Sequence, residues 1–107
     1  MVDVVRSGTF DRWIRKLKDR QAVARVLVRI DRLALGNPGD VKPVGSGISE
    51  LRINYGPGYR VYYLQDGERL VVLLCGGDKS TQPDDIMKAR EIADEWRNKE
   101  QGDGQED

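Results

Sequence analysis

The chain has 107 residues with 18 basic and 18 acidic side chains, no histidine and one cysteine, Cys75. This length predicts one domain and excludes two, and the absence of histidine disfavours a zinc enzyme or a cysteine–histidine hydrolase. No segment approaches the about 20 apolar residues of a membrane span, and the N-terminus lacks the long apolar run of a signal peptide. We therefore expect a cytoplasmic protein without a membrane partner.

The net charge of zero hides an uneven distribution of charge along the chain. Residues 1–60 carry 12 basic and 6 acidic side chains, whereas residues 99–107 carry one lysine and four acidic side chains. A basic first half favours an anionic partner such as RNA or an acidic protein segment, although solvated helices are often unevenly charged too. The last residues contain no apolar side chain, which predicts a folded domain over residues 1–98 and a disordered acidic tail over residues 99–107.

The first half of the chain predicts a short strand followed by two helices. Residues 2–5 are rich in valine and predict a strand. Apolar residues then recur with helical spacing over residues 10–17 and leave a basic back, which predicts an amphipathic helix capped by Ser7 or Thr9. A second helical stripe covers residues 23–33 and stops before a Gly-Asn-Pro sequence. We expect these helices to form a hairpin on one face of a sheet.

Four further strands are predicted in the second half. Residues 41–44 include Pro43, which indicates an irregular or edge strand. Residues 50–54 alternate polar and apolar side chains, the period of a half-buried strand with one wet face. Residues 59–64 and 69–75 follow as strands joined by an Asp-Gly turn, and the second of them is apolar throughout and is expected to be central.

The end of the last strand is expected to expose two charged residues. A double glycine at residues 76–77 predicts a kink that releases Asp78 and Lys79 at the end of the sheet. A third helix then follows, with an apolar stripe over residues 86–96. The order of elements predicts an α+β fold, in which a mainly antiparallel sheet packs against an N-terminal helical hairpin and a C-terminal helix.

A cationic group of side chains forms the candidate catalytic site. If the strands pair in sequence order, Arg52, Arg60 and Lys79 converge on one concave surface. Cationic side chains aimed at phosphoryl oxygens stabilise the transition state in which a ribose 2′-hydroxyl attacks the neighbouring phosphate. Cations placed in this way suit RNA cleavage without a metal ion, and Arg60 is the first candidate for the phosphate clamp because guanidinium binds phosphate with two hydrogen bonds. Ordinary interpretations stay open, since Arg60 can simply pair with Glu50 and Arg52 can be a plain surface charge.

Three other residues are substrate-binding candidates with weaker support. Glu50 and Asn54 share the predicted polar face with Arg52, and Glu50 can act as a general base or merely pair with an arginine. Tyr62 can stack on a base, although tyrosines in a sheet more often belong to the core. No residue pattern predicts a metal site, and no glycine pattern predicts a nucleotide site, so we expect no metal and no small-molecule cofactor.

The motifs ELRI at residues 50–53, GPGYRVYY at 56–63 and LLCGGDKSTQPDDI at 73–86 follow a basic helical hairpin. Over residues 2–98 this arrangement resembles the RelE/ParE superfamily of toxins from bacterial toxin–antitoxin modules, and within it the HigB-like addiction module killer proteins. The resemblance implies a RelE-like fold and a ribosome-dependent endoribonuclease that cleaves translated messenger RNA. It also implies a basic catalytic cluster at positions matching Arg52, Arg60 and Lys79, and a small cognate antitoxin as partner.

One departure from the family's pattern concerns proton transfer. Many members of the superfamily have a histidine or tyrosine near the end of the domain, whereas the matching segment here, residues 79–86, has neither. The general acid and base are therefore unassigned. Two alternatives stay open: a ParE-like toxin that poisons DNA gyrase without cleaving RNA, and a purely structural partner of a regulatory antitoxin. The retained cluster of Arg52, Arg60 and Lys79 favours the nuclease.

Overall fold

The computed structural model describes residues 1–105, with side chains described through residue 99. Its elements are β1 Asp3–Arg6, α1 Gly8–Lys16, α2 Arg20–Ala34, β2 Val41–Gly45, β3 Ile48–Ile53, β4 Tyr59–Asp66, β5 Leu70–Asp78, a 3-10 turn Lys79–Thr81 and α3 Gln82–Gln105. The strands form one sheet in the order β1-β5-β4-β3-β2, in which β1 and β5 are parallel and the other pairs antiparallel. The predicted α+β class with a mostly antiparallel sheet is confirmed.

Side-chain caps fix where the two N-terminal helices begin. The hydroxyl of Ser7 accepts a hydrogen bond from the backbone N–H of Phe10 at 3.0 Å and donates one to the carbonyl of Leu74 at 2.6 Å. The Asp19 carboxylate accepts from two backbone N–H groups in the first turn of α2. These bonds satisfy donors that a helix start leaves free, and Ser7 also ties α1 to the middle of β5.

The side chains of the sheet are divided between two cores. The core that includes the N-terminal helices contains Phe10, Ile14, Val26, Ile30, Leu33, Leu51, Ile53, Val61, Tyr63, Val71 and Leu73. The core that includes α3 contains Ile48, Tyr62, Leu64, Val72, Leu74, Cys75, Ala89 and Ala93. Because neighbouring residues of a strand point to opposite faces, α1 and α2 lie on one face of the sheet and α3 on the other. No helix in the described part of the chain is long and apolar enough to cross a membrane.

The strand that contains Pro43 lies at an edge of the sheet, as predicted. Within residues 1–105, β2 pairs with β3 alone, and the pairing register shifts between Pro43 and Gly45. Proline has no backbone N–H to donate, so it is compatible with an edge strand and with an irregular pairing. The prediction from this residue is confirmed.

The predicted kink at the double glycine is wrong, because β5 continues through both glycines to Asp78. A Cβ atom at Gly76 would lie against the Trp13 ring, and one at Gly77 would overlap the carboxylate of Asp85. The ring comes from α1 and the carboxylate from α3. Glycine is therefore needed at both positions because a helix approaches each face of the strand closely.

The C-terminal helix overlaps the predicted tail. α3 reaches Gln105, whereas the sequence predicts disorder over residues 99–107. Lysine, glutamate and glutamine favour helix and extend an existing helix more easily than they start one, which accounts for the difference in backbone assignment. The side chains from Glu100 onward and residues 106–107 lie outside the described residues, so the domain boundary at residue 98 stays a prediction.

Candidate functional site

The three predicted cations line one cavity of about 340 Å³ beside the β3–β4 turn. Arg52 on β3 and Arg60 on β4 are direct partners across the two strands, and Gly77 on β5 is the partner of Arg60 on its other side. Lys79 follows the end of β5 as the first residue of the 3-10 turn. The strand order thus brings Arg52, Arg60 and Lys79 together, as the sequence predicts, while their chemical roles stay a prediction.

A buried carboxylate lies beneath these cations. Glu50 exposes 1% of its surface, so the prediction that it lies on a wet strand face is wrong. Its Oε2 atom accepts a hydrogen bond from the Tyr62 hydroxyl at 3.1 Å and one from Gln82 Nε2 at 2.6 Å. Gln82 is the first residue of α3, which packs on this face of the sheet and excludes water from Glu50.

The other carboxylate oxygen of Glu50 faces both arginines. Its Oε1 atom lies 3.8 Å from Arg60 Nε and 3.9 Å from Arg52 Nε, and among the described residues these three buried atoms have no hydrogen-bond partner. Two like charges directly opposite each other on paired strands would repel, so the carboxylate offsets that repulsion. The Arg60 side chain is 11% exposed and that of Arg52 is 39% exposed, and both line the cavity.

Tyr62 is not placed to stack on a base. Its side chain is fully buried, and its hydroxyl is committed to Glu50. Burial raises the pKa of this hydroxyl, and the Glu50 carboxylate raises it further, so the phenol stays neutral. The sequence placed Tyr62 correctly on the same strand face as Arg60, but α3 covers that position. Asn54, in contrast, is exposed at the end of β3 and lines the cavity.

Two residues of the site carry no signal in the sequence. Asp40 lies in a loop before β2, lines the cavity and places its Oδ1 atom 3.9 Å from an outer nitrogen of Arg52. Arg29 of α2 donates hydrogen bonds to the backbone carbonyls of Arg52, Pro38 and Asp40 at 2.5, 2.9 and 3.1 Å. Arg29 therefore holds the Asp40 loop against β3. The sequence shows it only as one of several basic residues on a helix.

The segment around Lys79 is fixed by its own hydrogen bonds. The Asp78 carboxylate accepts from the backbone N–H of Ser80 at 2.8 Å, and hydrogen bonds from Ser80 lower the pKa of Asp78. The Thr81 hydroxyl donates to Asp85 Oδ2 at 2.6 Å, while burial raises the pKa of Asp85. These bonds hold the turn between β5 and α3 in place, which keeps Lys79 at the rim of the cavity.

Two comparisons with known proteins identify the family of this chain. Residues 12–95 match the family described as phage-derived protein Gp49-like (DUF891). An uncharacterized protein of Haemophilus influenzae strain Rd is 55% identical over 87 residues, which cover 81% of this chain and 88% of that relative.

The chain belongs to the Gp49-like family, which is a RelE/ParE-type toxin family. The resemblance to this superfamily is thus confirmed, and the family is associated with the toxins of toxin–antitoxin modules. Membership implies a cognate antitoxin as a partner. Assignment to the HigB-like branch stays a prediction.

Proposed function

We propose that this protein is a HigB-like toxin that cleaves translated messenger RNA on the ribosome without a metal ion. The observation that carries the proposal is the convergence of Arg52, Arg60 and Lys79 on one cavity, with a buried carboxylate between the two guanidinium groups. Guanidinium groups bind phosphate with two hydrogen bonds and keep their charge at all physiological pH values. A cavity lined in this way suits the phosphodiester backbone of a single RNA strand.

The reaction consists of one in-line transfer at phosphorus. The ribose 2′-oxygen forms a bond to the adjacent phosphorus while the bond from phosphorus to the 5′-oxygen breaks, which leaves a 2′,3′-cyclic phosphate and a 5′-hydroxyl. Negative charge develops on the phosphoryl oxygens, and Arg60 and Arg52 stabilise it because their positions are fixed before the substrate arrives. Each such preorganised donor contributes roughly 3 kcal/mol to lowering the barrier.

The positions of two carboxylates support our assignment of the groups that transfer protons. Glu50 is buried beneath the arginines, and one of its oxygens is held by Tyr62 and Gln82. This burial supports a role in orienting the cations rather than in contacting the substrate. Asp40 is the carboxylate among the described residues that line the cavity. We assign it the role of general base, which accepts the proton of the attacking 2′-hydroxyl. Lys79 at the rim then supplies the proton that the departing 5′-oxygen takes up.

The decisive variant is Arg60→Gln, compared with Arg60→Lys and with Arg15→Gln as a control for the loss of charge. Arg15 is exposed on α1 and lines none of the cavities described here. We expect Arg60→Gln to lower messenger RNA cleavage on the order of a hundredfold, Arg60→Lys to lower it less, and Arg15→Gln to leave it unchanged. Growth arrest and primer-extension mapping on translated messages report cleavage, and circular dichroism checks that each variant is folded.

The same set of variants separates the nuclease from the gyrase poison. Each protein is also added to a supercoiling assay with purified gyrase. One combination of results would refute the proposal and leave the ParE-like alternative. In it, the parent protein arrests growth and inhibits gyrase without mapped cleavage, and folded Arg60→Gln arrests growth as strongly as the parent.

A further inference from the structure

A second cavity adjoins the proposed catalytic cavity. It has a volume of about 460 Å³, lies between α2 and the end of β3, and shares Ile53 and Asn54 with the first cavity. Asn54 is exposed at this shared border, just after the end of β3. The two cavities therefore meet at Asn54.

Three arginines of α2 line this second cavity. Arg25, Arg29 and Arg32 are spaced by four and three residues, so they share one face of the helix over about 10 Å of its length. None of the described residues that line the cavity is acidic. The cavity therefore presents a concentrated positive charge that its own lining leaves without a neutralising carboxylate.

The three arginines differ in how free they are to bind a ligand. The Arg29 guanidinium is committed to backbone carbonyls and serves the structure. Arg25 lies with its guanidinium carbon 4.6 Å from the centre of the Tyr55 ring, which fixes its direction but uses none of its N–H donors. Arg25 and Arg32 are exposed and form no ion pair with the described residues. They are available to an anion.

We propose that this α2 cavity binds the phosphates of RNA nucleotides that flank the cleaved bond, an inference that rests on the proposed function. The positive charge of the α2 cavity and the border that it shares with the catalytic cavity at Asn54 both favour a strand that occupies the two cavities together. Contacts of this kind are made to the sugar–phosphate backbone and carry no sequence preference of their own. They hold the strand in register, so that the scissile phosphate lies against the cavity-facing sides of Arg52 and Arg60.

The test uses the full chain and two fluorescein-labelled RNAs that a 2′-O-methyl group at the cleavage position protects from attack. The first RNA has three nucleotides, a length chosen for the catalytic cavity alone, and the second has nine, a length chosen so that its ends can reach the α2 cavity. The test variant is Arg25→Gln with Arg32→Gln, and the control is Arg15→Gln with Arg12→Gln, an equal loss of charge on α1. Fluorescence anisotropy measures affinity at several salt concentrations.

We expect the test variant to bind the longer RNA on the order of tenfold more weakly at 0.1 M salt, with little change for the shorter RNA. Two lost phosphate contacts should reduce the slope of log affinity against log salt by about 1.4, since each contact to a single strand contributes about 0.7. The control variant should retain the parent's slope, because its lost charges lie away from the cavity.

Several results would overturn the inference. They are an unchanged slope for the test variant, equal losses for both RNAs, and a parent protein that binds neither RNA. Loss of affinity for the cognate antitoxin, with unchanged affinity for the longer RNA, would assign the α2 cavity to a protein partner. Cleavage of translated messages is scored separately. A chain that cleaves them while binding RNA independently of Arg25 and Arg32 would refute this inference and leave the proposed function intact.

Discussion

Replacement of Glu50 by glutamine tests the electrostatic account of the site with almost no change in shape. The amide keeps the volume of the side chain and can still accept hydrogen bonds from Tyr62 and Gln82. It removes the negative charge that lies 3.8 and 3.9 Å from the Nε atoms of Arg60 and Arg52. The change therefore isolates the two ion pairs from the packing around them.

The magnitude follows from the distances and the exposure of the partners. At this separation each pair is worth about 4 kcal/mol at an effective dielectric constant of about 20, and part of this offsets the cost of burying the charges. Arg52 is 39% exposed, so solvent screens its pair more strongly than that of Arg60. We expect Glu50→Gln to lower the free energy of unfolding by about 3 kcal/mol and the melting temperature by about 12 °C.

Thermal unfolding followed by circular dichroism measures this loss, and messenger RNA cleavage below the transition measures the effect on function. Tyr62→Phe is the matched control, because it removes a hydrogen bond to Glu50 while it keeps the carboxylate, and it should cost about 1–2 kcal/mol. Cleavage should fall at least tenfold in Glu50→Gln, since the guanidinium groups lose the charge that orients them. A glutamine variant that melts within two degrees of the parent and cleaves normally would refute the reasoning.

Three further predictions concern β5. Gly76→Ala should destabilise the fold by about 1–3 kcal/mol, measured by urea unfolding, because its Cβ meets the Trp13 ring. The control Gly8→Ala on α1 should be neutral or stabilising. Equal stabilities of the two variants would contradict the close packing at Gly76. Burial raises the pKa of the Cys75 thiol from 9.0 to about 12, so iodoacetamide should label it only after unfolding. Because the unfolded thiol ionises at a lower pH than the folded one, the stability contribution linked to this pKa is present below pH 9 and is lost as pH rises toward 12. The parent should therefore lose more stability over that range than Cys75→Ala. Equal losses in the two proteins would count against this contribution.

The sequence alone determined the class of the fold and which cationic side chains lie together. Alternation over residues 50–54, the Asp-Gly turn and Pro43 are local signals, because strand period and turn geometry depend on neighbouring residues. Pairing of adjacent strands in sequence order then brought Arg52 and Arg60 together. Prediction worked where each inference needed only local spacing and one hairpin.

The tertiary structure decided what surrounds those cations. The sequence pattern shows which side chains share a strand face, but it does not show which helix covers that face. α3 covers the face that carries Glu50 and Tyr62, and this turned a predicted wet carboxylate and a predicted stacking ring into a buried network. Asp40 and Arg29 entered the site from a loop and from a helix distant in the chain. Burial and long-range contacts depend on how the elements pack together, so residue periodicity alone leaves them undetermined.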